Sequence, residues 1–302
     1  MGFRILISGA SGTVGADLVP RLKADGHQVV RLTRGPAGPD AIIWDPSQAI
    51  GPESVAGFDA VIHLAGESII GRWTEAKKRR IIESRASGTR RLAEALARSP
   101  GRPKVLVSAS AIGYYGGRGD EILREDSGPG RGFTAETCAV WEAATSPAEE
   151  AGIRTAHLRI GVVLSSRGGA LQKMLLPYRL GLGGRIGNGR QWWSWIQVHD
   201  LAGAIQHVLT HDVRGAVNAV SPNPVSNAEF TRTLAAALSR PAVFPMPAPV
   251  VRLIFGQMGE ELWLASQRVV PAKLLESGYR FQYPDLSAAI QECLKLKNRS
   301  RS

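Results

Sequence analysis

Phe3-Arg-Ile-Leu-Ile-Ser8-Gly9-Ala-Ser-Gly12-Thr-Val-Gly15 stands at the start of the sequence and decides the fold. The apolar run Phe3 to Ser8 predicts a buried strand. Val14 to Lys23, with Leu18, Val19 and Leu22 as an apolar stripe, predicts a helix that Asp25-Gly26-His27 ends. Gln28 to Thr33 then supplies the second strand of a βαβ unit. Between strand and helix lies a G-x-x-G-x-x-G loop. Gly9 allows the tight turn, Gly12 lets backbone approach a pyrophosphate, and Gly15 lets the helix pack closely. The helix N-terminus faces the negative charge.

Further along, the pattern repeats. Asp59 to Gly66 predicts a buried strand, Glu75 to Arg98 a helix broken by Pro100 and Pro103, and Lys104 to Ser108 a strand. Glu136 to Ala151 predicts a helix stopped by Gly152, and Arg154 to Leu164 a further strand. Such alternation implies an α/β fold, a Rossmann-type doubly wound parallel sheet covered by helices on both faces. The expected division is a nucleotide-binding domain over 1–165, with a later strand and helix near 195–220 returning to it. A smaller C-terminal substrate lobe over 166–294 ends in a helical segment, and 295–302 is expected to be a disordered tail. A proline-rich stretch (Pro241, Pro245, Pro247, Pro249) precedes helix-like segments at Val250 to Phe255 and Leu286 to Leu294.

The second strand bears on the cofactor. An acidic residue at its end bonds the ribose 2′-hydroxyl of NAD, whereas arginine suits the 2′-phosphate of NADP. Here the chain reads Val30-Arg31-Leu32-Thr33-Arg34, with no acid before Asp40. NADP(H) is therefore the expected cofactor, with Arg34 and Thr33 at the phosphate and Arg31 as second candidate. Asp45 reads either as an adenine ligand or as a turn aspartate.

Composition narrows the remaining classes. With 302 residues, 44% hydrophobic and 21% charged, the chain can bury a full core. No apolar stretch is long enough to cross a bilayer, and no signal-like segment precedes the first strand, so no membrane association is expected. Cys138 and Cys293 match no metal spacing and fit the reducing cytoplasm. No metal is expected. The net charge of +11 raises nucleic acid as a partner. The basic residues are dispersed, however, and Lys77 to Arg80 reads as a solvated helix face, so nucleic acid is not the expected partner. The expected partner is a small-molecule substrate, and a homodimer is compatible with the sequence.

Four stretches resemble the extended short-chain dehydrogenase/reductase superfamily: Gly9 to Gly15, His63-Leu-Ala-Gly66, Ser108-Ala-Ser110-Ala-x-Gly-Tyr-Tyr-Gly116 and Trp195-Ile-Gln-Val-x-Asp200. Ala65-Gly66-Glu67-Ser68-Ile69, Arg72-Trp73-Thr74, Ser84-Arg85, Trp141 to Ala144, Gly181 to Gly184 and Ser226 to Phe230 are similar to one atypical branch, the epimerase family proteins. That branch carries a C-terminal domain of unknown function. The resemblance reaches to about Leu294. It implies cofactor contacts from Gly9, Ser11, Gly12, Thr13, Val14 and Gly15, from Leu64, Ala65, Gly66 and Glu67, and from Ser84 and Arg159.

The superfamily's chemistry needs a Ser or Thr, a Tyr that transfers a proton, and a Lys four residues after that Tyr. Four residues after the five tyrosines stand Arg118, Gly119, Leu182, Tyr283 and Ser287, so the dyad is absent. The resemblance puts Thr134 in the tyrosine place and Cys138 in the lysine place. Ser108, Ser110 and Tyr115 remain as catalytic candidates. Tyr114 and Tyr115 could instead pack over the nicotinamide half of the cofactor. Glu67 reads as an acid or base, or as a partner of Arg72. Glu142 reads as structural. On the substrate side, Trp192, Trp193 and Trp195 follow a glycine-rich stretch. They suggest either a flat ligand stacked in a cleft or a hydrophobic plug between lobes. Asp200 reads as a helix N-cap and His199 as a surface residue.

Overall fold

The structure, a computed structural model, describes residues 2–35 and 38–299. Its centre is a seven-stranded sheet in which every pairing is parallel. In chain order the sheet elements are β1 (Arg4–Ser8), α1 (Thr13–Ala24), β2 (Gln28–Thr33), β3 (Ala41–Ile43), β4 (Ala60–His63), α2 (Glu75–Arg98), β5 (Val105–Ala111), α3 (Phe133–Ala143) and β6 (Arg154–Ile160). After α4 (Gly169–Arg179), the chain returns through α5 (Val198–Thr210) and β7 (Gly215–Ala219). The spatial order is β7-β6-β5-β4-β1-β2-β3. The order reverses between β1 and β4, and a crevice opens there beyond the strands' carboxyl ends.

Alternation along each strand builds two cores. Ile5 and Ile7 of β1 join Leu18 and Leu22 of α1 and Leu201 and Ile205 of α5 on one face. Leu6 joins Val30, Val61, Leu92 and Leu96 on the other. A sheet buried on both faces needs near-continuous apolar strands, which is why Phe3 to Ser8 was so plain a signal.

The second lobe has its own core of Leu171, Tyr178, Trp193, Trp195, Phe230 and Ile290. It is built on α4, α6 (Asn227–Ala237) and α8 (Leu286–Arg299), whereas α7 (Ala248–Gly259) packs through Met258 against Trp73, Ile81 and Phe133. α8 runs to Arg299, so the tail expected from residue 295 is helical to that point; residues 300–302 lie outside the described residues.

Two element boundaries differ from expectation. The strand predicted over Arg154 to Leu164 breaks after Ile160, and Val162–Leu164 pairs instead with Trp195–Gln197. The backbone at Gly161 runs so close to its neighbour that a Cβ there would lie 2.6 Å from the Ser194 carbonyl oxygen. The helix predicted over Glu136 to Ala151 is two helices, α3 and a short one at Ser146–Glu150, and Pro147 stands in the first turn of the second.

Asp200 does not cap α5; the Gln197 side chain does, by accepting from the His199 amide. Asp200 is 2% exposed, and its carboxylate accepts from the amides of Gln282 (2.7 Å) and Tyr283 (2.8 Å). It thereby ties the segment before α8 to the nucleotide domain. Nor is His199 at the surface: it is half-buried between Asp17 and Arg21 of α1. Asp200→Ala strands two amides and should cost about 3 kcal/mol in urea unfolding. A loss below about 0.5 kcal/mol, the scatter of neutral surface changes, would remove this tie from the account.

Candidate active site

The crevice holds two adjoining hollows that meet at Gly66. The first, of about 650 Å³, is floored by Gly9, Ser11 and Gly12 and walled by Arg31, Thr33, Arg34, Trp44 and Leu64 to Gly66. Gly9 adopts φ 73°, and a Cβ there would lie 2.8 Å from the Leu64 carbonyl carbon. A side chain would thus push the loop off the end of β4. Gly12 is the N-cap of α1 and offers no side-chain cap, and the first turn holds no acid. The first amides of α1 are left for a ligand, and the helix dipole favours an anion there.

Asp45 is a turn aspartate: its carboxylate accepts from the Ser47 amide at 2.9 Å, and the hollow is lined instead by Trp44 and Pro46 on either side of it. Among the described residues no carboxylate lines this hollow, while two arginines do. The arrangement fits a dinucleotide with a phosphorylated ribose.

The second hollow, about 520 Å³, begins at Thr13 and Val14 and passes Gly66 and Glu67. Its deeper lining comes from Thr134, Thr137 and Cys138 of α3, from Met174 and Trp193, and from Glu261, Leu262 and Trp263 after α7. The C-terminal domain thus closes a cavity whose floor belongs to the nucleotide domain. The closure is held by Glu261. Its carboxylate accepts from the amides of Phe133 (3.1 Å) and Thr134 (2.8 Å) and from the Thr134 hydroxyl (2.7 Å). α3 has no N-cap side chain of its own, since Gly132 stands there, so a distant carboxylate caps it.

Thr134 and Cys138 both face this cavity. Burial pushes the Cys138 thiol up to about 11, so it is a neutral group and no substitute for a lysine ammonium. Thr137 carries a buried hydroxyl without a partner among the described residues.

Several sequence candidates lie elsewhere. Ser108 and Ser110 are buried and line neither hollow. The Ser110 hydroxyl donates to Glu142 at 2.6 Å. Tyr115 is wholly buried; its hydroxyl donates to Asn218 (2.7 Å) and accepts from Arg159 (2.9 Å). Burial pushes it up to about 12, which suits a fixed donor and not a proton carrier. None of the three side chains lines either hollow.

Arg159, expected at the cofactor, is 4% exposed and grips Glu142 through two bonds of 2.8 and 2.9 Å. Burial opposes its charge, but the Glu142 pair outweighs burial and holds the guanidinium above its ordinary range. Tyr114 stacks on Arg159, with the guanidinium carbon 3.5 Å from the ring centroid, and lines neither hollow. Glu142 is thus the anchor of a structural network behind the site.

Gly15 and Ser84 act from outside the hollows. Ser84 accepts from the Glu67 amide at 3.0 Å and fixes the loop after β4. Glu67 pairs with Lys77 at 2.6 Å, not with Arg72, and that contact holds its carboxyl below the usual range. Of Trp192, Trp193 and Trp195, Trp195 is 0% exposed in the lobe core, Trp192 pairs with Asp120 on the outside, and Trp193 alone reaches the cavity. The plug reading therefore describes Trp195, and the cleft reading describes only Trp193. Arg85, Glu261 and Trp263 went unassigned at the sequence level. Their contribution depends on α2 and the C-terminal domain meeting across the crevice, and no local motif announces that.

The profile of the NAD dependent epimerase/dehydratase family matches residues 5–220, and that of a domain of unknown function, DUF1731, matches residues 246–293. The chain belongs to the NAD dependent epimerase/dehydratase family. Within the family it is 40% identical over 296 residues to the human epimerase family protein SDR39U1, covering 96% of this chain and 99% of that one. It is 36% identical over 297 residues to the Bacillus subtilis epimerase family protein YfhF, covering 96% and 97%. A crystal structure of human SDR39U1 (isoform 2) with NADPH superposes with a TM-score of 0.90 at 38% identity, covering 97% and 99% of the two chains. Among the described residues, no helix is long and apolar enough to cross a membrane, and no group of three or more acidic, His or Cys residues is placed to hold a metal.

Beneath the crevice lies a buried polar chain. The Ser8 hydroxyl bonds His63 Nδ1 at 2.6 Å, and His63 Nε2 meets the Thr89 hydroxyl at 3.1 Å, which also accepts from Trp141 Nε1 at 3.1 Å. Burial pushes His63 down to about 4. The unfolded chain takes up a proton near pH 6.5 that the folded chain refuses. The stabilising contribution is therefore complete above pH 6.5 and is lost as pH falls towards 4, by at most about 3 kcal/mol. In urea unfolding, the stability gap between wild type and His63→Gln should narrow as pH drops from 7 to 4.5. A constant gap would show that His63 titrates alike in both states.

Proposed function

We propose that the protein is an NADP(H)-dependent oxidoreductase of the short-chain dehydrogenase/reductase type, or an epimerase that takes and returns the same hydride, acting on a small substrate in the cavity beyond Gly66. The observation that carries this reading is the pair of hollows joined at Gly66: one cationic and phosphate-suited, the other a mostly apolar cavity closed by the C-terminal domain. The NADPH in the solved human relative supports the cofactor.

In this reading the α1 amides hold the pyrophosphate, and Arg34, with Thr33 and Arg31 beside it, holds the 2′-phosphate. Thr13, Val14, Leu64, Ala65 and Gly66 carry the path from one hollow to the next. When bound, the nicotinamide supplies a hydride to a substrate carbonyl carbon, or accepts one from the corresponding carbinol. The proton on the substrate oxygen is exchanged with water, by way of the Thr134 hydroxyl that Glu261 orients. The protein's remaining share is alignment and exclusion of bulk solvent. Two buried, unpaired cysteines suit a cytoplasmic setting.

A second reading, a non-catalytic NADP(H)-binding regulator, is favoured by one specific observation: a threonine and a neutral thiol stand in the places of the proton-transfer dyad. Bound cofactor whose redox state never changes in a substrate screen would select it.

Fluorescence titration tests the cofactor. NADPH should bind wild type more tightly than NADH does, and Arg34→Glu should weaken NADPH about tenfold or more while leaving NADH nearly unchanged. Binding of neither nucleotide by wild type would overturn both readings.

A further inference from the structure

Among the described residues, three charged side chains line the inner cavity: Glu67, Arg85 and Glu261. Each carboxylate already has a partner. Glu67 pairs with Lys77, and Glu261 sits on the α3 N-terminus with two amides and a hydroxyl. Arg85 is different. Its Nη1 donates to two backbone carbonyls, of Glu67 (2.9 Å) and Ile81 (3.4 Å), and its guanidinium carbon lies 4.8 Å from the Trp141 ring centroid. Among the described residues no carboxylate lies within ion-pair distance of it, and its Nε and Nη2 donate to no protein acceptor. The guanidinium stands against Gly66, where the two hollows meet; a Cβ on that residue would lie 3.4 Å from its carbon. Burial holds its pKa below the ordinary range.

The Glu67 carboxylate acts on Arg85 only from a distance, and a largely buried cation with no carboxylate in contact is costly unless something else supplies the anion. The rest of the cavity describes the remainder of that ligand. Ile69, Ile70, Met174, Trp193, Leu262 and Trp263 give apolar and aromatic walls. The volume of about 520 Å³ must also take the nicotinamide ring, so little room is left for a second nucleotide. A diphosphate would bring two charges to a single unpaired guanidinium.

Resting on the reading of this cavity as a substrate site, we propose that its ligand is a compact monoanion. It has an apolar or ring body against the tryptophans and one carboxylate held by the free edge of Arg85. Nucleotide sugars, such as the UDP-glucose and UDP-glucuronic acid bound to MoeE5, a protein of similar fold, are outside this class.

Calorimetric titration of the full chain, with and without saturating NADP⁺, tests this. The probes are benzoylformate, its uncharged counterpart acetophenone, the aliphatic monoanion 4-methyl-2-oxopentanoate, and UDP-glucose. Benzoylformate should bind about tenfold or more tightly than acetophenone, because a hydrogen-bonded charge pair is worth that much. Arg85→Met should abolish the difference by weakening benzoylformate alone, and Arg85→Lys should retain part of it. NADPH affinity, read separately by fluorescence, should persist in both variants.

The proposal is overturned if neither monoanion binds wild type, if acetophenone binds as well as benzoylformate, if UDP-glucose is the ligand that binds, or if Arg85→Met keeps the preference. Should Arg85→Met fail to fold, the wild-type comparison and Arg85→Lys decide. Loss of NADPH binding in wild type would sink the functional reading instead, and the titrations without nucleotide would still judge the monoanion.

Discussion

The close approach of the Gly9 loop to the end of β4 is the constraint on which the site depends. Because no side chain stands at Gly9, backbone from β1 and β4 can meet at the topological switch, with a would-be Cβ only 2.8 Å from Leu64. That contact aims the N-terminus of α1 at the crevice and sets Leu64, Ala65 and Gly66 along its far wall. It also places the boundary between the two hollows at Gly66. Everything downstream inherits this geometry: the arginines at the end of β2 look into the first hollow, and α2 delivers Arg85 to the second.

The rigidity behind the site comes from buried polar groups whose partners lie far apart in sequence. Arg159 joins Glu142, Tyr115 and the Glu125 carbonyl. Breaking such a pair by removing one member strands a buried charge, at a cost of about 3–5 kcal/mol. Glu261 and Asp200 serve the same end between domains, each satisfying amides that the local sequence leaves open. The C-terminal domain is therefore fixed across the crevice by hydrogen bonds at the first turn of α3 and beside α5. Its apolar residues Leu262 and Trp263 become cavity wall in consequence.

The nucleotide half was legible in the sequence because its signals are local. A strand, a glycine loop, a helix and an acid-free second strand occur within 34 residues, and each maps onto one wall of the first hollow. The catalytic half was not. Ser108 and Ser110 lie in β5 and Tyr115 just after it, yet the Ser110 and Tyr115 hydroxyls turn to Glu142 and Asn218, which no spacing rule relates to them, and the Ser108 hydroxyl turns to the Ala109 carbonyl. The resemblance implied a cofactor contact for Arg159, and its commitment to Glu142 is visible only once β6 and α3 are packed. Arg85, quoted only within a resembling stretch, received no role for the opposite reason: what distinguishes it is the lack of a contacting carboxylate, a property of the fold and not of its helix. The absent dyad, in contrast, could be read directly, since a missing i, i+4 pair needs no tertiary information.

Electron density for NADPH in crystals of this chain would test the account most directly. It predicts the 2′-phosphate at Arg34, the pyrophosphate on the amides of α1, and the nicotinamide ring past Gly66, inside the cavity that Trp193 and Trp263 line. Adenosine density in the first hollow with the nicotinamide turned out to solvent, or no nucleotide density at all, would contradict it.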